Sequence, residues 1–242
     1  MIKFEHIKVM GLDAAIRGMR NPLESWELSD SYNHYTTDHY IIGARDSNLM
    51  QRLCIAGSDH RKFMRMIDVT MDITAPLYWW KQFDTYKVGA VANSCSTMHT
   101  LHKRPITEDD FSLEHIDNND VLLFEQEEHG ITEFKKFDYS KNSVSDTTIG
   151  VTAMGVMQLV IEVLNHFREA FNDHGYKEDW DLMISMLPEC FNQKRTVKLN
   201  YEVIRRMVLA RRDHKLDEWK HFCETMINTL PESMLFTEKE KL

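Results

Sequence analysis

Between residues 67 and 85 the repeat of the apolar side chains changes from two residues to the helical interval, and Pro76 marks the change. Ile67, Val69, Met71 and Ile73 alternate with Asp68, Thr70 and Asp72, the pattern of a strand with one buried face. Proline has no N–H for a sheet ladder, and its fixed φ suits the start of a helix, so Pro76 ends the strand and Leu77 to Thr85 follows as a short aromatic-rich helix.

Helical spacing returns from Gly150 to about Asn172, where Val156, Val160, Leu164, Phe167 and Phe171 recur on one face of the longest expected helix. Near the C-terminus Val197, Leu199 and Tyr201 alternate briefly. A helix from Glu202 to Arg212 follows, with the stripe Ile204, Met207 and Val208 ending in Arg211. A last helix runs from about Leu216 to Leu230 and stops before Pro231. The polar stretch 103–149 offers one hairpin, Val121 to Phe124 with Glu133 to Tyr139, and the charged tail Thr237 to Leu242 is expected to fray.

At 242 residues and 43% hydrophobic, the chain can bury a core of domain size, and one domain spanning 1–242 is expected. A net charge of −9 with interspersed signs argues against a duplex nucleic-acid binder but leaves room for a few arginines to hold one small anion. There is no apolar run of 18 residues, and the opening MIKFEHIKVM lacks the layout of a signal peptide, so no membrane partner and a cytoplasmic location are expected. Cys54, Cys95, Cys190 and Cys223 are widely spaced without CxxC, reading as free thiols with no zinc knuckle.

Three stretches could carry chemistry. Residues 75–99 lead from an aromatic helix into the small-residue run Gly89, Ala90, Ala92, Asn93, Ser94, Ser96 and Thr97, which could admit a ligand to the backbone or merely permit close packing. Gly57 to Lys62 sets His60, Arg61 and Lys62 before the strand, as a diphosphate grip or a solvated loop. Arg211 and Arg212 stand at a helix C-terminus, where they satisfy the dipole unaided and could also fork a phosphate. Cys95, His99 and His102 match no standard zinc spacing, and no P-loop, G-x-G-x-x-G or G-x-S-x-G occurs.

The order of these pieces resembles the flavin-dependent thymidylate synthases, which have a strand ending in Ala-Pro, an aromatic helix carrying Gln, and the signature R-H-R-x-x-S-x-N-E-x-S-x-R. Here Ala75-Pro76 is followed by Gln82, then Thr85-Tyr86-Lys87 in place of Arg-His-Arg, and Asn93 to Met98 in place of N-E-x-S-x-R. His60 falls where the family has a histidine near the flavin. Leu187-Pro188 matches a family Leu-Pro, and the family interval from it reaches Asn200. Arg211-Arg212-Asp213-His214 to Glu218-Trp219 resembles R-x-D-x-H-x-Q-W, with Arg212 fitting from Trp219 and Arg211 fitting from Asn200. Of the signature's three arginines and one glutamate, Thr85 and Met98 lose the charge, Lys87 keeps a charge without the fork and Ser94 loses the carboxylate, and Arg61, Lys62, Arg205 and Arg206 are candidate replacements.

What the resemblance implies is an α+β fold, a central, mostly antiparallel sheet packed by long helices, in a homotetramer with shared active sites. It implies FAD, with a reduced folate and NADPH as co-substrates, and one-carbon transfer to C5 of a deoxypyrimidine monophosphate. Gln82, Asn93, Ser94, Ser96, Arg211 and Arg212 would hold the nucleotide. His60, Arg61, Lys87, Asn200, Arg206 and His214 would hold the flavin. A non-catalytic flavin or nucleotide binder on the same fold stays open beside this, as does a purely structural reading of the same residues.

Overall fold

A computed structural model describes residues 2–35, 40–116, 121–127, 130–136 and 148–237. In chain order its strands and α-helices begin with β1 (Lys3–Met10), α1 (Leu12–Arg20), β2 (Tyr32–Asn33), β3 (Tyr40–Ile41), α2 (Ala44–Ile55), β4 (Asp68–Pro76), α3 (Leu77–Phe83), β5 (Ala90–Ser94) and α4 (Thr97–Thr100). They continue with β6 (Val121–Glu127), β7 (Gly130–Lys136), β8 (Thr148–Thr152), α5 (Ala153–His174), α6 (Lys177–Ser185), β9 (Asn192–Asn200), α7 (Tyr201–Arg211), α8 (Asp217–Thr229) and α9 (Met234–Thr237). The chain divides into a terminal unit, Ile2–Cys95 with Gln193–Leu242, and a middle unit, Ser96–Asn192.

The terminal unit is built on a four-stranded sheet of order β1-β4-β9-β5. β1 runs antiparallel to β4 from Lys3↔Thr74 to Met10↔Asp68, and β5 runs antiparallel to β9 from Ala90↔Leu199 to Ser94↔Arg195. The alternation read from the sequence is realised in β4. Val69, Met71, Ile73 and Ala75 are buried, while Asp72 accepts from Thr196 Oγ1 at 2.7 Å and pairs with Lys194 at 3.2 Å, and Asp68 pairs with Lys198 at 2.8 Å. One face of the sheet is thus core and the other an ion-pair ladder.

Pro76 supplies the extended residue that starts α3. Trp79, Trp80 and Phe83 then point into the core with Trp219, Phe222 and Met226 of α8 and Ile204, Met207 and Val208 of α7. Trp79 packs on Trp80 at 4.9 Å and on Trp219 at 4.7 Å between ring centroids. Both tryptophans of α3 are at most 1% exposed and belong to the core of the terminal unit. Before residue 60, α1 presents Leu12, Ala15, Ile16 and Met19 at helical spacing and α2 presents Met50 and Cys54, and all of them join the same core.

In the middle unit β6 pairs antiparallel with both β7 and β8. The expected hairpin is present and extended by a third strand, while Tyr139 lies outside the described residues. α5 is 22 residues long, capped by the Thr152 hydroxyl accepting from Gly155 N at 2.9 Å and ended by Gly175 in the left-handed region, φ 70°. Its buried residues are Ile161, Leu164 and Arg168. Of the stripe expected from spacing, Leu164 is buried and Val156, Val160, Phe167 and Phe171 are half-buried, so the helix is turned by about one position from the expected face. The expected fraying of the tail falls largely on residues outside the described ones.

Candidate functional site

The C-terminal end of α7, the end of α3 and the first turn of α8 meet in one corner of the terminal unit. Trp219 is fully buried and donates Nε1–H to Gln82 Oε1 at 2.8 Å. With its oxygen engaged, the Gln82 amide presents its NH₂ as a donor. Arg211 donates from Nε to the Tyr86 hydroxyl at 3.0 Å, and its guanidinium carbon lies 5.2 Å from the Trp219 ring centroid and 5.8 Å from that of Tyr86. Two aromatic rings and one hydroxyl therefore fix the guanidinium while its two terminal nitrogens remain to grip an anion. Beneath them Tyr78 donates to the buried Glu218 carboxylate, tying α3 to the start of α8.

Arg212 caps α7, is 36% exposed at its side chain, and approaches Asp213 at 3.5 Å, a loose pair at the rim. His214 accepts from Leu216 N through Nδ1 at 3.1 Å, so the neutral ring carries its proton on Nε2. Partial burial, then Arg211 and Lys215, push its pKa below the usual histidine value. All three effects disfavour a second positive charge beside Arg211.

A second cluster lies where β5 begins. Asn200 caps α7, its Oδ1 accepting from Val203 N at 3.0 Å. Gly89, at φ 83°, approaches so closely that an added Cβ would stand 2.6 Å from Asn200 Nδ2 and 3.0 Å from Val203 Cγ2. Any other residue there would have to displace the Asn200 side chain and would be strained at this positive φ. The stretch from Tyr86 to Gly89 touches both clusters, and Lys87 between them is exposed. Asn93 and Ser94 follow on β5, an edge strand of the sheet, and both are exposed. Ser96 belongs to the middle unit, where its carbonyl accepts from Thr100 Oγ1 at 2.7 Å.

The remaining candidates separate. Arg61 is turned inward, 8% exposed, with Nε at 2.9 and 3.1 Å from the two oxygens of Glu202, because a buried guanidinium must be paired. Arg205 is buried and donates to the Leu235 carbonyl. His60 and Arg206 are exposed, and Arg206 is the guanidinium that α7 leaves at the surface among Arg205 and Arg206. Tyr86 and Trp219 were not singled out from the sequence as site residues. Their role is to hold Arg211 and Gln82 across three elements, and spacing within one element carries no such signal.

The donor set suits a flavin nucleotide in kind: Lys87 and Arg206 offer exposed cations for a diphosphate, while Asn200 Nδ2 and His214 Nε2 offer neutral donors for a heteroaromatic ring. The Gly89 approach adds an uncrowded backbone edge between them. Among the described residues no group of three or more His, Cys, Asp and Glu side chains is placed to hold a metal ion.

No protein-family model and no curated protein matches the chain in sequence. Solved structures do match in fold. The Helicobacter pylori flavin-dependent thymidylate synthase complexed with FAD and dUMP superposes with a TM-score of 0.62 at 16% identity, covering 99% of this chain and 100% of that one. A second structure of that H. pylori enzyme gives 0.60 at 14%, covering 98% and 96%. The UMP/dUMP methylase PolB from Streptomyces cacaoi, bound with 5-Br dUMP, gives 0.59 at 15%, covering 98% and 95%. The chain has the α+β fold of the flavin-dependent thymidylate synthases, along essentially its whole length.

Proposed function

We propose that the protein is an FAD-dependent enzyme that transfers a one-carbon unit to C5 of a deoxypyrimidine monophosphate, dUMP or a close relative. The observation that carries this reading is the Arg211 station: a guanidinium held by Tyr86 and Trp219, beside a Gln82 amide whose donor face is fixed by Trp219. Arg211 would fork the phosphate, with Gln82 donating beside it and Arg212 adding charge at the rim. Asn93 and Ser94 would order on β5 against the nucleotide. Lys87 and Arg206 would meet the flavin diphosphate, and Asn200, His60 and His214 would border its ring. When bound, reduced FAD would supply the hydride, with a reduced folate as one-carbon donor and NADPH as reductant. The exposed Val88 and Val91 beside the β5 edge support assembly with further copies into a homotetramer that completes the sites. The four free thiols suit the cytoplasm, and no helix among the described residues is long and apolar enough to cross a membrane. The whole chain would act as one catalytic domain. Purified protein is expected to be yellow or to take up FAD, and calorimetry is expected to show dUMP binding that Arg211→Ala weakens. Colourless protein that binds neither FAD nor dUMP would sink the proposal.

A second reading, a non-catalytic binder on the same fold, is favoured by one local feature. Thr85, in the first arginine position of the signature, spends its hydroxyl on the Gln82 carbonyl at 2.7 Å, so that position offers no cation. FAD and dUMP binding without any turnover in the presence of a folate donor and NADPH would select this reading.

A further inference from the structure

The middle unit holds a cavity of about 240 Å³ with apolar walls and a charged rim. Leu101, Ile106 and Phe191, each at most 7% exposed, form the walls, and Lys103, Arg104 and Asp110 stand around them. The walls are fixed by contacts inside the unit. Asn165 of α5 clamps the Ile106 backbone through both its polar groups, accepting from its N–H at 2.9 Å and donating to its carbonyl at 2.8 Å. Phe191 meets the Phe111 ring edge to face at 5.6 Å. Walls held in this way keep their shape without a ligand, so little order has to be created on binding.

The rim is organised as firmly. Thr107 and Asp110 form a capping box around the single turn Glu108–Asp110, with Thr107 N–H donating to Asp110 Oδ2 at 2.9 Å. The same carboxylate accepts from Arg104 Nη1 at 2.8 Å and from Nη2, and Nη1 also donates to the Pro105 carbonyl at 3.1 Å. Of the five N–H donors of a guanidinium, these contacts use three. The Nε–H and the second Nη2–H lie along one edge and have no partner among the described residues, so Arg104 is an oriented arginine with a bidentate edge uncommitted. Lys103 is exposed and has no ion pair among the described residues. Asp110 balances one of the two cations, which leaves the rim one positive charge in excess. Of the two acids beside Asp110, Glu108 accepts from Gln158 at 3.1 Å, and neither lines the cavity.

These features select the ligand. Apolar walls favour a hydrocarbon body, the open edge of Arg104 matches the two oxygens of a carboxylate, and one excess positive charge suits a single negative one. A phosphate would leave the walls unused and bring a second charge that the rim does not balance. Because the whole chain carries −9, a small anion has no general attraction to it and would come here only for the local charge. We propose that this cavity binds a small monocarboxylate with an aliphatic or aromatic hydrocarbon body, comparable in size to hexanoate or benzoate. The proposal does not rest on the Arg211 reading, whose residues lie in the terminal unit.

The test is a titration of the full protein with hexanoate and, separately, with benzoate, by calorimetry and by saturation-transfer NMR. Acetate and inorganic phosphate serve as probes without the hydrocarbon body, and hexanamide and benzamide as probes without the charge. At least one of the two carboxylates should bind with a Kd of about 1 mM or tighter, and which one does tells a chain from a ring. Acetate, phosphate and the amides should all bind at least about tenfold more weakly, each lacking one of the two features the cavity offers. Lys103→Glu, a change at an exposed position that leaves the walls intact, should weaken carboxylate binding severalfold even if an Arg104 variant unfolds. Arg104→Lys keeps the charge but not the fork and should also weaken it. Arg211→Ala should leave it unchanged. The proposal is overturned if neither carboxylate binds at about ten times the expected Kd, or if acetate, phosphate or the matching amide binds as tightly. It also falls if binding persists undiminished in folded Lys103→Glu, or if it follows Arg211 instead of the cavity. None of these results bears on whether FAD and dUMP bind in the terminal unit.

Discussion

The corner around Trp219 and the edge strand β5 both carry pieces of the same resemblance, yet their polar side chains are held in opposite ways. In the corner every functional group has a partner inside the chain: Gln82 is bonded to Trp219, Arg211 to Tyr86, and His214 to the Leu216 backbone. On β5 and just before it, Lys87, Asn93 and Ser94 are exposed, and Val88 and Val91 are 81% and 66% exposed beside them. Groups oriented in advance lose little freedom on gripping a ligand, whereas exposed side chains must be ordered by the ligand or by another copy. The corner is therefore the part able to bind alone.

The sharpest way to break the comparison is to remove what holds the corner. Trp219 is fully buried among Trp79, Tyr86 and Phe222, so Trp219→Ala should cost about 3–5 kcal/mol of stability in urea denaturation. Trp219→Phe should cost less but release Gln82 and the stacked face of Arg211, lowering nucleotide affinity in a protein that still folds. A loss under about 1 kcal/mol for Trp219→Ala would mean the corner is not packed as described.

The next effect is on binding. Arg211→Ala should weaken dUMP binding by roughly 1.5–3 kcal/mol, about ten- to a hundredfold, if the charged contact is direct. Arg211→Lys should recover charge but not the fork. A helix C-terminus repels an anion, but it carries about half a charge against the full charge of each guanidinium, so the arginines prevail. Arg212→Ala should cost less than Arg211→Ala, because Arg212 is at the rim beside Asp213 and has no aromatic support. Titration of the three variants with dUMP, dCMP and dTMP decides the order. Equal binding in wild type and Arg211→Ala would remove the corner as a phosphate site.

For the strand the expectation is nearly the reverse. Lys87→Ala, Asn93→Ala and Ser94→Ala should each change stability by no more than about 0.5 kcal/mol, as exposed side chains without internal partners do. Lys87→Ala should nonetheless reduce FAD uptake, read as visible absorbance after soaking. A large stability loss in any of the three would show that β5 is already organised in the free chain.

The sequence disclosed the parts of the fold in which one element's pattern is self-sufficient. The alternation of Val69, Met71 and Ile73, the break at Pro76, the two C-terminal helices and the long α5 all follow from local periodicity and punctuation. β1 was illegible because its positions are mostly exposed or half-buried and His6 sits at φ 55° in an irregular pairing with β4. Within the site, Gln82, Arg211 and His214 were legible as residue types in an order, and the corner brings them together. Arg61 looked like a free cation in a Gly-Ser-Asp-His-Arg-Lys run, but its partner Glu202 lies 141 positions away, beyond the reach of any local pattern. The same distance effect concealed Tyr86 and Trp219, whose importance comes from crossing between α3, α7 and α8.

The smallest effect concerns protons. The pKa of His214 is lowered from 6.5 by partial burial first and then by Arg211 and Lys215. In the unfolded chain the ring therefore binds a proton at higher pH than in the folded one. Its contribution to stability is present above the unfolded value and is lost as pH falls through the lower folded value. Asp46, whose desolvation is outweighed by hydrogen bonds from Ser29, Ser31, Arg20 and the Asp30 backbone, is also lowered, from 3.8, so its contribution is lost only in stronger acid. The His214 window opens at the higher pH, so mild acid should act on the corner first. The ring is partly solvated and screened, so the loss should be modest. His214→Gln retains an acceptor for Leu216 N and does not titrate, and it should flatten the stability slope between about pH 7 and pH 5 relative to wild type. It should also remove any gain in dUMP affinity that a proton on His214 would bring by adding positive charge beside the phosphate, while leaving Arg211 bound to Tyr86. An identical slope in wild type and variant would show that protons taken up in that range go to other histidines, and that the Arg211 corner is indifferent to mild acid.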